Sequence, residues 1–155
     1  MSLAEEWMVR GTAWAAFAAC VIAWMRRSRG WWLAGSMLLI AHAVCAFQFA
    51  HHWSHAAAFE ATAAQSGAVT GLRLGAGIWV NYAVLLLVLA EALWLWFGPR
   101  SHAARPALAG RLLHGFLAFI WFQASVVFAQ GVPRVVGALV WGALAVWWCL
   151  SCRAR

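Results

Sequence analysis

Three of the chain's six histidines, His51, His52 and His55, fall within the seven residues FAHHWSH at 49–55. Neutral imidazole is a ligand for copper, zinc, iron or nickel, and it is also the side chain whose charge changes near neutral pH. On a helix, His51 and His55 are four residues apart and project from one face, as paired histidines do in many metal sites. Gln48, one turn earlier, and Thr62, further on, fall within about 60° of the same stripe at about 100° per residue. His52 lies about 100° round and can support the pair or serve a neighbouring helix. Glu60 falls on the opposite side unless the helix breaks before it. The spacing therefore predicts a transition-metal or redox centre for Cu, Zn or Fe, with His51 and His55 as ligands and His52 in support. It names no third ligand. The plainer alternatives are a proton-handling role and interfacial packing, since imidazole tolerates both headgroups and water.

Other residues could contribute chemistry at the same level. Asn81 and Tyr82 open the third apolar run, Gln130 closes the fourth, and Gln123 lies two turns deeper than Gln130 on one face. With Gln48 they define a polar layer beneath the histidines, or simply interhelical hydrogen bonds. His42 and His114 lie inside different apolar runs, and a pair of this kind could hold a b-type haem axially. Glu91 is the one acid well inside an apolar run; a bare carboxylate there is costly, which predicts a partner at similar depth among Arg111, His114 and the Arg26–Arg29 turn. Cys20 and Cys45 read as small apolar packers, while Cys149 and Cys152 form a CLSC pair that lacks a second pair to complete a metal site. No Gly-rich nucleotide loop, HExxH or GxSxG is present. HHWSH is loosely similar to one histidine box of the membrane di-iron desaturases and hydroxylases, but those enzymes need several boxes and the remaining histidines here are isolated.

The elements that must position these residues follow from composition. Of 155 residues, 66% are hydrophobic, 10% are charged and 13 are Trp, whereas a soluble domain carries about a quarter charged residues. Apolar runs at about 7–25, 31–51, 76–97, 111–130 and 135–150 match the ~30 Å hydrocarbon core of a bilayer. The fold class expected is an all-α, single-domain integral membrane protein with a five-helix bundle. A four-span alternative would keep 111–150 as one kinked helix nearly 60 Å long at ~1.5 Å per residue, about twice the hydrocarbon thickness. QGVPR at 130–134 breaks it more naturally into a hairpin.

The net charge of +7 comes from arginine in short turns, which excludes a nucleic-acid-binding surface more readily than it suggests one. With five spans, Arg26, Arg27, Arg29, Arg100, Arg105, Arg111, Arg153 and Arg155 share one side, and Arg10, Arg73 and Arg134 the other. The positive-inside rule then places the N-terminus outside and the C-terminus in the cytoplasm. The acidic start MSLAEEW reads as a retained first helix and not a cleaved signal. The loop at about 52–75 lies outside, and its Ala-rich first half is expected to continue span 2 as helix. Together these readings predict a small multi-pass protein of the bacterial inner membrane, with lipid as its surroundings and an outward-facing metal-handling or redox site. The alternatives are a non-catalytic subunit packing against larger membrane partners or its own copies, and a haem anchor through His42 and His114.

Overall fold

The computed structural model describes the backbone of residues 1–153 and the side chains of residues 1–151. Arg155 of the basic carboxyl-terminal run and the side chains of Cys152 and Arg153 lie outside the described residues. Every regular element among them is helical: α1 (Leu3–Arg26), α2 (Arg29–Cys45), α3 (His55–Thr70), α4 (Gly77–Phe97), α5 (Pro99–Ala103), α6 (Ala107–Phe122) and α7 (Val132–Arg153). Two π-helical turns, Ala46–Ala50 and Gln123–Val127, extend α2 and α6. Five stretches are long and apolar enough to cross a membrane: Leu3–Arg26, Arg29–Ala50, Gly77–Phe97, Ala107–Val127 and Val132–Ser151. The fifth, the shortest in the sequence reading, is a separate helix, so the chain has no single kinked rod over 111–150. Gly131, at φ 62°, supplies a left-handed turn immediately before α7.

The helices pack as two units, one ending at Arg105 and one beginning at Pro106. In the first, the acidic start of the chain is a helix-starting device. Ser2 Oγ accepts from the Glu5 backbone N–H at 3.3 Å while Glu5 Oε2 accepts from the Ser2 backbone N–H at 2.6 Å, a reciprocal capping box. Arg27, at φ 49°, ends α1, and Ser28 caps α2 through its hydroxyl, giving a tight antiparallel hairpin. The hairpin closes on small residues. Ala16, Ala19, Cys20, Ala23, Gly35 and Ser36 are buried, and a Cβ on Gly35 would lie 2.8 Å from Cys20 Sγ and 3.4 Å from the Ala16 carbonyl. Small residues of this kind let the two backbones approach closely and pack along their length. Cys20 is the packer its setting predicted.

In the second unit, α6 and α7 form a hairpin that closes around Ser125, with Phe122 and Trp141 edge to face at 5.9 Å. Ser125 Oγ donates to the Trp121 carbonyl at 2.6 Å and accepts from Trp141 Nε1 at 3.0 Å. Gly137 lies directly against the Ser125 backbone, with its virtual Cβ 2.9 Å from the Ser125 carbonyl carbon. Arg134 folds its guanidinium onto the Ala129 and Val127 carbonyls at 2.8 and 3.1 Å, taking up acceptors that the turn leaves without helical donors.

Candidate functional site

The histidine segment is a bend and not a helix. α2 loosens into the π-helical turn at Ala46–Ala50, His51 caps it, and His52 and Trp53 take left-handed backbone at φ 48° and 57°. Neither is glycine, so each conformation costs about 1–2 kcal/mol and must be held by its surroundings. The holding contacts are visible. The Trp53 backbone N–H donates to the Phe47 carbonyl at 2.9 Å, the Trp53 indole donates to Gln48 Oε1 at 2.8 Å, and the Ser54 N–H donates to the His51 carbonyl at 2.8 Å. Ser54 Oγ then accepts from the Ala57 N–H at 3.2 Å and starts α3 afresh at His55. Hence the expectation that span 2 continues as one helix past His51 is corrected, and with it the shared i, i+4 face of His51 and His55. The physical reason is a serine cap that outcompetes helix continuation once two residues have turned left-handed.

What the bend does instead is seat His55 among aromatic rings. His55 Nδ1 lies 2.9 Å from the Tyr82 hydroxyl on α4, and the two rings are 5.8 Å apart. Trp79, one turn before Tyr82, stands 5.2 Å from the His55 ring, and Phe59 lies 6.5 Å from it. Phe47 links this group to the bend, with ring centroids 5.6 Å from His51, 5.9 Å from Trp53 and 6.2 Å from Tyr82. His55 remains exposed, His51 is half-buried and His52 is exposed. Burial, together with the neighbouring His52, holds the His51 imidazole below the ordinary imidazole range.

The remaining candidates divide. Tyr82 joins the histidines, as its place at the start of the third run implied. Gln48 is engaged by the Trp53 indole, and the Thr62 hydroxyl donates to the Ala58 carbonyl at 2.9 Å, so neither extends a ligand stripe. Asn81 is exposed on α4. Gln123 opens the second π-helical turn, while Gln130 lies beyond the helix in the link to α7, so the two do not stack on one continuous face. His42 Nδ1 lies 2.9 Å from the Val9 carbonyl, which ties α2 to α1. His114 is half-buried on α6 in the second unit. Cys45 is half-buried and Cys149 exposed.

Glu91 has partners, but not the expected ones. It is buried on α4, with His102 Nε2 2.8 Å from its Oε1 and the Arg105 guanidinium on the same oxygen. Gly98 and Pro99 end α4 and start α5, which folds His102 back over Trp94 with ring centroids 5.3 Å apart. Trp94 Nε1 also donates to Ser101 Oγ at 2.9 Å. Sequence depth pointed to Arg111, His114 or the Arg26–Arg29 turn because it treated 98–105 as a simple turn.

Phe47, Phe59 and Trp79 were missed as neighbours of the histidines. Trp79 was recoverable, since it precedes Tyr82 by three residues on a helix. Ser54, placed before an Ala-rich run, is the legible cap that foretells the bend. Imidazole nitrogen suits Cu, Zn or Fe, yet among the described residues no group of three or more His, Cys, Asp or Glu side chains is close enough together to hold a metal ion. The donor type fits such an ion, while the described residues assemble no closed shell of three or four ligands. Compared with protein-family models, curated proteins and solved structures, the chain matches none.

Proposed function

We propose that the chain is a multi-pass protein of a bacterial inner membrane, N-terminus outside and C-terminus in the cytoplasm, that engages a transition metal at the His51–His55 bend. The membrane reading rests on the five apolar helices, and the orientation on the arginines gathered in the turns that follow the first and third of them. The metal reading rests on one observation: the Tyr82 hydroxyl within hydrogen-bonding distance of His55 Nδ1. A partner on one ring nitrogen is the usual way a metal-binding histidine is oriented and its other nitrogen made a better donor. With Nδ1–H donating to the Tyr82 oxygen, His55 Nε2 carries the free lone pair and is the ligand, with His51 and His52 nearby in the chain to supply others. With an exposed His55 and no closed shell, the site handles an ion in exchange and does not store it; water, a second copy or a larger membrane partner completes the coordination. The test is metal analysis and copper and zinc titration of the detergent-purified chain. Wild type should bind more metal than His51→Ala/His55→Ala, and Tyr82→Phe, which removes the partner of His55 Nδ1 but neither imidazole, should lower affinity about 10–100-fold. Equal metal content in wild type and the double variant refutes the reading.

A further inference from the structure

The arginines are treated unequally at the two ends of the first unit. At the end carrying the histidine bend, Arg10 pairs with Glu6 at 2.7 Å and Arg73 pairs with Glu60. At the other end, α1 turns into α2 through Arg26, Arg27 and Arg29, and α4 runs into α5, which carries Arg100. These two turns share an end because the helices alternate in direction. Val9 meets His42 near one end of the α1–α2 hairpin, Trp24 meets Trp32 near the other, and Phe47 meets Tyr82 where α2 finishes and α4 begins. Arg26, Arg27, Arg29 and Arg100 are all exposed, and among the described residues none forms an ion pair. The acid nearest to them along α4, Glu91, is already occupied by His102 and Arg105. Exposed tryptophans flank the group: Trp31 at the start of α2, and Trp94 and Trp96 at the end of α4.

Four exposed guanidinium groups without carboxylates, collared by indoles and continuous with apolar helix, match a ligand that is a phosphate at one end and hydrocarbon at the other. We infer that this end of the first unit binds the headgroups of anionic phospholipids. The inference rests on the membrane-spanning reading above, and it goes beyond orientation: it assigns a preference among lipids to four named residues. Guanidinium meets phosphate oxygens with paired N–H donors, and the indoles hold the headgroup level.

The test reconstitutes the full chain into nanodiscs of equal phosphatidylglycerol and phosphatidylcholine and measures, by native mass spectrometry, which lipids stay bound. At ~1 kcal/mol per arginine near an anionic surface, even one of the four engaged by a headgroup corresponds to about a fivefold preference. Wild type should retain phosphatidylglycerol at least fivefold over phosphatidylcholine, and Arg26→Gln/Arg27→Gln/Arg29→Gln/Arg100→Gln should fall to near parity with helix content and incorporation unchanged. Arg10→Gln/Arg73→Gln, at the opposite end, should keep the preference; equal loss in both variants makes net charge the cause and overturns the assignment. Displacement of the retained lipid by glycerol 3-phosphate at matched concentration makes a free phosphate the ligand and also overturns it. Incorporation without any preference sinks this inference alone, whereas failure to incorporate sinks the membrane reading with it.

Discussion

Glu91→Gln is the substitution through which the structure commits itself most sharply. The Glu91 side chain is 4% exposed, and those of His102 and Arg105 are 14% each. Breaking a fully buried ion pair by removing one partner costs about 3–5 kcal/mol, because the other charge is left without compensation. A solvent-exposed pair is worth about 0–1 kcal/mol. At these exposures the Arg105 guanidinium retains a little access to water, and the new amide oxygen still accepts one hydrogen bond. The expected destabilisation is therefore about 2–4 kcal/mol, between those two limits. The assay is reversible unfolding of the chain in mild detergent by titration with a denaturing one, followed by circular dichroism and Trp fluorescence. Arg105→Gln and the double variant complete a cycle, and the coupling between Glu91 and Arg105 should exceed about 1 kcal/mol. A Glu91→Gln variant within about 0.5 kcal/mol of wild type would place that carboxylate in water and refute the fold-back of α5 onto α4.

Three further outcomes are expected. Gly137→Ala should cost about 2 kcal/mol or more, because its Cβ would meet the Ser125 backbone and not a movable side chain, whereas Gly142→Ala, which faces open space, should gain about 0.5–1 kcal/mol; the same unfolding titration reads both. Tyr82→Phe should remove about 1 kcal/mol of the contact between α3 and α4, seen as faster hydrogen exchange over residues 51–59. His51 is held below the ordinary imidazole range, so the unfolded bend binds a proton more readily than the folded one. Its contribution is complete above about pH 6.5 and declines as pH falls through and below that value. Protection from hydrogen exchange at 46–55, after correction for the intrinsic exchange rate that itself slows in acid, should accordingly fall as pH drops, and His51→Gln should abolish that fall.

Much of the architecture was written in the order of residues. Runs of about twenty apolar residues need helices to satisfy their own backbone in hydrocarbon, and arginine, glycine and proline mark the turns between them. That is why five segments could be drawn within a few residues of the helices found. The candidate site was legible only as a location. FAHHWSH does lie at the far end of α2, and Tyr82 does face it, since both follow from depth along a helix. Its internal geometry did not follow, because helical periodicity assumes an unbroken helix, and two left-handed residues and one serine cap were enough to break the helical register between His51 and His55. The same limit applied to Glu91. Hydropathy identified a buried acid that must be neutralised, but not which of several cations at similar depth would reach it.

By itself, then, the sequence determined the class of fold, the number of apolar helices and which residues gather at each end of them, all consequences of short-range patterning and transfer free energy. Only tertiary structure decided that the histidines sit on a bend, that one of them meets a tyrosine 27 residues away, and that α5 returns to close over Glu91. Those outcomes depend on side chains meeting across helices, where an ångström of backbone displacement or a single left-handed residue changes the partner, and no local pattern encodes that.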